Sequence, residues 1–192
     1  MYRGLYLLRS GNGARGSGLS PLRLLIVPMD LLILRHGKAE ERGEGVDEES
    51  RTLTKKGIRD IRRVSRWMAR SGNIPDLIVS SPLARAKETA EIVADRIAFG
   101  AEITFWDELM PGRDPASIAA KVGEVEGPSL PLIIGHEPQL SALLALLIGA
   151  GPDARILLDK GGIARIGDLS TGAGGTGMLQ WLLTIRQIRD MA

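Results

Sequence analysis

Cysteine is absent from the 192-residue sequence, and histidine occurs only twice. The absence of cysteine excludes disulfide bonds, thiolate catalysis and cysteine-based metal sites. Two histidines do not favour a histidine-rich metal site either. Aromatic residues form only 4% of the chain, so a hydrophobic core must consist mainly of Leu, Ile, Val and Ala.

Long apolar runs are lacking as well. No stretch of 18 apolar residues occurs, so a membrane-spanning helix is not expected. Residues 1–28 are Gly-rich and interrupted by Pro and Arg, and they lack the form of a signal peptide. We expect these residues to be a disordered tail or the product of a misassigned start codon, with an atypical targeting peptide as the alternative. A domain is expected over residues 29–192, and the protein is predicted to be cytoplasmic.

The net charge of +2 is unevenly distributed along the chain. Residues 1–28 contain four arginines and no acid, which leaves 21 basic and 23 acidic side chains in the remainder. We therefore expect neither nucleic acid nor a membrane as a partner. One predicted helix has a basic face, which we interpret as solvated, with a docking surface for an acidic protein as the alternative. Its residues are Lys55, Lys56, Arg59, Arg62, Arg63 and Arg66.

Short apolar runs alternate with segments of helical periodicity. The predicted strands are residues 31–34, 77–79, 103–106, 130–134, 163–169 and 178–185. The predicted helices are residues 55–71, 82–97, 115–122 and 139–148, with Thr54 and Ser81 as N-caps of the first two. The Gly-rich link 170–177 predicts a hairpin between the last two strands. This order predicts a three-layer α/β/α sandwich with a mostly parallel central sheet.

Three motifs follow predicted strands directly: Arg35-His36-Gly37, Ser80-Ser81-Pro82-Leu83-Ala84-Arg85 and Gly135-His136-Glu137-Pro138. Ligands of open α/β sheets bind at the carboxyl ends of the strands. Two arginines, two histidines and two helix N-termini at one edge suit a dianionic phosphoryl group. A neutral imidazole that is hydrogen-bonded at one nitrogen can attack phosphorus with the other. The motifs therefore predict a phosphatase with a histidine nucleophile.

Each of these residues alone has an ordinary structural explanation. A single histidine after a buried strand is more often a hydrogen-bonded structural residue, and Arg85 alone could be a solvated helix residue. Arg51 could pair with Asp47 or Glu48 in an exposed loop or lie at the edge of a phosphate site. The occurrence of all three motifs in order favours the catalytic interpretation of the two histidines.

The motifs resemble those of the histidine phosphatase superfamily, also called phosphoglycerate-mutase-like, over residues 29–185. The matching positions are Arg35-His36-Gly37, then Ser81, Pro82 and Arg85, then Gly135-His136. Residues 51–57 and Lys160-Gly161-Gly162, together with the compact length, are similar to the SixA-type phosphohistidine phosphatases of that superfamily. The resemblance implies a phosphoglycerate-mutase-like fold with little helical lid.

The resemblance also implies the roles of the site residues. His36 would be the nucleophile, and Arg35, Arg85 and a protonated His136 would bind the phosphoryl oxygens, with Arg51 as a further substrate-binding candidate. Neither a metal ion nor a cofactor is implied. The superfamily usually takes its general acid from the segment after the third strand. Glu108 is the candidate here, although the match is poor and Pro111 stands where some relatives have an acid.

The substrate implied by the resemblance is phosphohistidine on a protein, such as a histidine-phosphorylated signalling or phosphotransfer domain. Its imidazole leaving group needs little protonation, and the single short helix predicted between residues 107 and 129 suggests an open site. One alternative is a phosphatase or mutase acting on a small phosphate ester. A non-catalytic phosphate-binding adaptor is the other. No oligomeric state is predicted.

Overall fold

The computed structural model describes residues 29–41, 47–151, 153–170 and 176–191. The strands in this part of the chain are β1 (Met29–Arg35), β2 (Leu77–Ser80), β3 (Thr104–Phe105), β4 (Pro131–Gly135), β5 (Ile163–Leu169) and β6 (Met178–Leu183). The α-helices are α1 (Lys55–Arg70), α2 (Ala84–Ile97), α3 (Pro115–Gly123), α4 (Gln139–Leu147) and α5 (Ile185–Asp190). A short 3-10 helix spans Asp107–Leu109.

The strands form one sheet in the order β3-β2-β4-β1-β5-β6. The first four strands in this order are parallel, whereas β5 and β6 are antiparallel to their neighbours. Arg35 at the end of β1 lies opposite Gly135 at the end of β4. Because the two strands are parallel and in register, His36 and His136 leave the sheet side by side. The predicted fold class is confirmed.

Both faces of the sheet are buried. In β1, Leu31 and Ile33 face one core cluster, and Leu32 and Leu34 face the other. Side chains of α3 and α4 complete the first cluster, and those of α1, α2 and α5 complete the second. The continuous apolar run of β1 thus follows from its position between two helical layers.

The start of α1 is confirmed, and that of α2 differs from the prediction. Thr54 caps α1 by accepting a hydrogen bond from the Gly57 N–H at 2.9 Å. The prediction that Ser81 caps α2 was wrong, because α2 begins at Ala84 after an extended Leu83. The buried Ser81 hydroxyl instead contacts His136 across the sheet edge.

The last predicted strand is shorter than expected. It ends at Leu183, because Thr184 and Gln187 form a capping box that starts α5. The hairpin of β5 and β6 is confirmed by their antiparallel pairing, although residues 171–175 of its link lie outside the described residues.

The predicted tail of residues 1–28 lies entirely outside the described part of the chain, so the domain boundary at Met29 stays a prediction. Within the described ranges, none of the helices has the length and apolar character needed to cross a bilayer. The cytoplasmic location also stays a prediction.

Candidate active site

His36 is held at the carboxyl end of β1 with one ring nitrogen engaged. Its Nδ1 lies 2.8 Å from the carbonyl oxygen of Gly37. A carbonyl oxygen can only accept, so Nδ1 carries the hydrogen and Nε2 keeps its lone pair. Burial is the main cause that lowers the pKa of His36 to about 3, with the hydrogen bond to Gly37 opposing the shift and the positive charges of Arg85 and Arg35 contributing to it. The ring is therefore neutral at physiological pH, the form required of a nucleophile.

His136 lies beside His36, with their ring centroids 4.9 Å apart and the rings tilted by 54°. Its Nε2 is 2.8 Å from the Ser81 hydroxyl oxygen. When that hydroxyl donates, the neutral ring carries its hydrogen on Nδ1, which is buried without a partner among the described residues. Burial is the main cause that lowers the pKa of His136 to about 2. The protein groups around it therefore favour a neutral ring, and the predicted protonated form requires the charge of a bound phosphoryl dianion.

The two predicted phosphate-binding arginines are fixed by different contacts. Arg35 donates from Nη1 to the carbonyl oxygen of Leu158 at 3.0 Å. Burial lowers the pKa of Arg35, against the opposing charges of Glu137 and Asp159. Arg85 is 3% exposed and donates from Nη1 to the backbone carbonyl of Glu48 at 2.9 Å.

Glu48 joins two arginines through its carboxylate. Its Oε1 lies 3.1 Å from Arg85 Nη2, and its Oε2 lies 2.9 Å from Arg51 Nη1. The pairing of Arg51 with Glu48, one of the two sequence-based alternatives, is thus observed. The sequence did not indicate that the same carboxylate also holds Arg85. An anion bound by both guanidinium groups has to compete with Glu48.

Hydrogen bonds to the backbone support the segment that follows β1 and the first turn of α2. The Gly37 N–H donates to Thr89 Oγ1 at 3.2 Å, and the Thr89 hydroxyl donates to the Arg85 carbonyl at 2.7 Å. The Gly161 N–H reaches the carbonyl oxygens of Arg35 and His36, both at 3.2 Å. Gly161 has a φ of 74°, a conformation that favours glycine. The Lys160-Gly161-Gly162 stretch therefore shapes the turn that supports the end of β1.

Glu108, the predicted general acid, is paired with a lysine. Its Oε2 lies 2.7 Å from Lys121 Nζ, and this hydrogen bond lowers the pKa of Glu108. The Lys121 ammonium also lies over the Trp106 ring, 5.1 Å from its centroid. These contacts favour the ionised carboxylate, which cannot donate a proton. The role of Glu108 stays a prediction, and its surroundings do not favour it.

Glu137 is a further carboxyl group at the site, which the sequence analysis did not select. It follows His136 directly, and burial raises its pKa. Its Oε1 is buried without a hydrogen-bond partner among the described residues. Its position next to His136 in the sequence was the available signal, but a glutamate at a helix start has a common structural explanation.

The buried histidines predict a loss of stability in acid. Both have folded-state pKa values, about 3 and about 2, below the unfolded value of about 6.5. Below pH 6.5 the unfolded chain binds more protons than the folded chain, so the free energy of unfolding decreases as the pH falls. The free energy of unfolding should decrease by about 1.4 kcal/mol per pH unit for each histidine, once that histidine is fully protonated in the unfolded state.

Urea unfolding between pH 7 and pH 5 measures this slope. The His136→Gln variant should show about half of the wild-type slope over that range, because it retains one buried histidine. Equal slopes for the two proteins would contradict the prediction.

The fold and the site together define an α/β protein in which two arginines and two histidines lie together at the carboxyl edge of the sheet. Residues 31–111, which include His36 and Arg85, match the model of the histidine phosphatase superfamily (branch 1). An uncharacterized protein of Picosynechococcus is 30% identical over 141 residues, which are 70% of this chain and 82% of that protein. The chain belongs to the histidine phosphatase superfamily.

Within the superfamily, the chain is similar to SixA in sequence and in structure. Phosphohistidine phosphatase SixA of Escherichia coli is 28% identical over 121 residues, which are 62% of this chain and 74% of SixA. A solved structure of the protein histidine phosphatase SixA complexed with tungstate has a TM-score of 0.73 and 25% identity. The match covers 83% of this chain and 99% of that structure. The resemblance drawn from the sequence motifs is confirmed.

Proposed function

We propose that this protein is a metal-independent phosphatase that removes phosphoryl groups from histidine side chains of a phosphoprotein. The observation that carries the proposal is the hydrogen bond from His36 Nδ1 to the Gly37 carbonyl, which leaves Nε2 as a neutral nucleophile beside His136. The same site would act on an activated ester such as p-nitrophenyl phosphate.

The reaction has two displacement steps at phosphorus. In the first, the lone pair of His36 Nε2 forms a bond to phosphorus while the bond from phosphorus to the substrate imidazole breaks. The leaving nitrogen takes up a proton from water. In the second step, water attacks the phosphohistidine, inorganic phosphate leaves and neutral His36 is restored.

Arg35, Arg85 and His136 would bind the nonbridging oxygens of the phosphoryl group. Their contribution is positioning and electrostatic stabilisation of charge that moves during transfer. Arg51 binds the other oxygen of the Glu48 carboxylate and would gain contact with the substrate when Glu48 moves aside. A dianion next to His136 would raise the pKa of this histidine and favour its protonated form.

Three observations support phosphohistidine as the substrate class. SixA of E. coli carries the name phosphohistidine phosphatase, and tungstate in the solved SixA structure is a tetrahedral oxyanion like phosphate. The carboxylate of Glu108 is held ionised by Lys121, which suits a leaving group that needs no strong acid. In addition, Ile118 and Val122 anchor α3 in the core, which is not the arrangement of a helical lid.

A comparison of substrates in the presence of EDTA tests the proposal. We expect kcat/KM for a histidine-phosphorylated protein to exceed that for each member of a sugar phosphate panel by on the order of 10²-fold or more, about 2.7 kcal/mol of discrimination. Equal or faster hydrolysis of a sugar phosphate would favour the small-molecule alternative. Binding of the phosphoprotein without phosphate release would favour the adaptor, and loss of activity in EDTA would contradict metal independence.

A further inference from the structure

Helix α1 concentrates the positive charge of the protein. It contains seven cationic residues and one acidic residue, Asp60, whereas the whole chain has a net charge of only +2. Two of the cations, Lys56 and Arg63, pair with Asp60 at 3.7 and 3.0 Å. The other five are Lys55, Arg59, Arg62, Arg66 and Arg70.

These five residues, termed here the α1 cationic face, are separated by four, three, four and four positions. This spacing places them in one stripe along the helix. All five are exposed, and within the described ranges none forms an ion pair. Arg62 borders a groove shared with Glu88, Glu91 and Asp95 of α2, so its charge is partly offset.

The α1 cationic face begins at the catalytic edge of the sheet. The Thr54 N-cap donates from its hydroxyl to the Lys38 carbonyl at 3.0 Å, two residues beyond His36 in the chain. Gly57 packs against the Lys38 backbone so closely that a Cβ atom would overlap it. The 16-residue helix then extends about 24 Å away from the site.

The far end of the helix contributes to a surface pocket. This pocket has a volume of about 400 Å³ and is lined by Arg63, Arg66, Trp67, Arg70, Ser71 and Met191. Arg66 and Arg70 belong to the α1 cationic face, so the stripe ends in a concave region where an anionic side chain could be seated.

The arrangement of charges is unfavourable for the helix itself. Like charges four residues apart repel each other, and cations in the first turn oppose the helix dipole. The first turn contains no acidic residue. Four like-charged pairs have this spacing: Lys55 and Arg59, Arg59 and Arg63, Arg62 and Arg66, Arg66 and Arg70. A feature that weakens stability and is only partly compensated inside the molecule is typical of a binding surface.

We propose that the α1 cationic face docks an acidic segment of the protein that carries the phosphoryl group. The proposal rests on the proposed function and adds that the substrate protein has an acidic segment near its phosphohistidine. An acidic segment bound along α1 would hold the phosphohistidine near His36 and raise its effective concentration at the site. The apolar side of α1, with Ile61, Val64 and Met68, is fully buried and cannot insert into a lipid bilayer, which favours a protein partner.

Two synthetic peptides test the charge requirement. Both contain one phosphohistidine and a neutral three-residue spacer. One continues with eight glutamates and the other with eight glutamines, because about eight extended residues span the length of α1. At low salt, kcat/KM should be about tenfold higher for the acidic peptide, mainly through a lower KM. The difference should disappear near 1 M salt, where the Debye length is about 3 Å.

A charge-reversed enzyme identifies the surface. The variant Arg59→Glu, Arg66→Glu, Arg70→Glu should remove the preference for the acidic peptide and leave hydrolysis of p-nitrophenyl phosphate within about twofold of wild type. The control variant Arg96→Glu, Arg155→Glu, Arg186→Glu makes the same change in net charge at exposed residues outside α1 and should keep the preference.

Three outcomes would overturn the docking proposal. One is that the α1 variant and the control variant prefer the acidic peptide over the glutamine peptide to the same extent. Another is an equal loss of activity on the peptides and on p-nitrophenyl phosphate, since the face would then act on the reaction itself. The third is binding of the wild type, but not the α1 variant, to vesicles with 30% phosphatidylserine, without any preference for the acidic peptide. Failure of the proposed function looks different, because neither peptide would then be dephosphorylated by any variant.

Discussion

The His36→Ala variant is expected to lose p-nitrophenyl phosphate hydrolysis by on the order of 10⁴-fold or more in kcat. The side chain proposed to form the covalent bond to phosphorus is then missing, and His136 cannot replace it in the same geometry. Its Nε2 is 2.8 Å from the Ser81 hydroxyl, and its pKa of about 2 reflects a deeply buried ring. The remaining arginines would still bind the phosphate group.

Trapping of the intermediate measures the role of His36 directly. Wild-type enzyme quenched during turnover of a ³²P-labelled substrate should carry a label that is stable in base and released by acid, as expected for a phosphorus–nitrogen bond. The His36→Ala variant should carry no label. The His136→Gln variant should still be labelled, although slowly, because it retains the proposed nucleophile, His36.

Binding of tungstate, followed by calorimetry, is the control for folding of the His36 variant. It should remain within about tenfold of wild type, since Arg35 and Arg85 are unchanged. A label that persists in the His36→Ala variant, or a label found on His136, would contradict the assignment of the nucleophile.

The Arg85→Met variant is expected to lower kcat/KM by on the order of 10²–10³-fold. Arg85 is 3% exposed and is fixed by two contacts with Glu48, so its guanidinium group is positioned before a substrate arrives. Its removal has a second effect. The Glu48 carboxylate then lies at the site without its closest buried cation and repels a phosphoryl dianion.

A double-mutant cycle separates these two effects. The Glu48→Gln variant should lower the inhibition constant for inorganic phosphate, because the carboxylate no longer competes for Arg85 and Arg51. The double variant Arg85→Met, Glu48→Gln should recover about tenfold of the kcat/KM lost in Arg85→Met, since the repulsion is gone. If the effects of the two single substitutions on kcat/KM simply add in the double variant, Glu48 does not act through Arg85.

The amino-acid sequence alone determined the fold class and the principal site candidates. The uninterrupted apolar residues 31–34 indicated a strand buried on both faces, and β1 is such a strand. Arg35, His36 and His136 were found because they directly follow short apolar runs, and the end of a strand is a local property. The charges of α1 were equally visible, since helical spacing can be counted along the chain.

Only the tertiary structure determined the partners of these side chains. Ser81 and His136 are 55 positions apart, and Glu48 and Arg85 are 37 apart. Ser81 meets His136 because β2 and β4 are neighbours in the sheet, and Glu48 meets Arg85 because the loop after β1 contacts the start of α2. No local pattern contains either arrangement. The pairing of Glu108 with Lys121 and the low pKa values of both histidines have the same origin. Burial and charge at a site depend on which elements pack together, whereas periodicity depends only on neighbours along the chain.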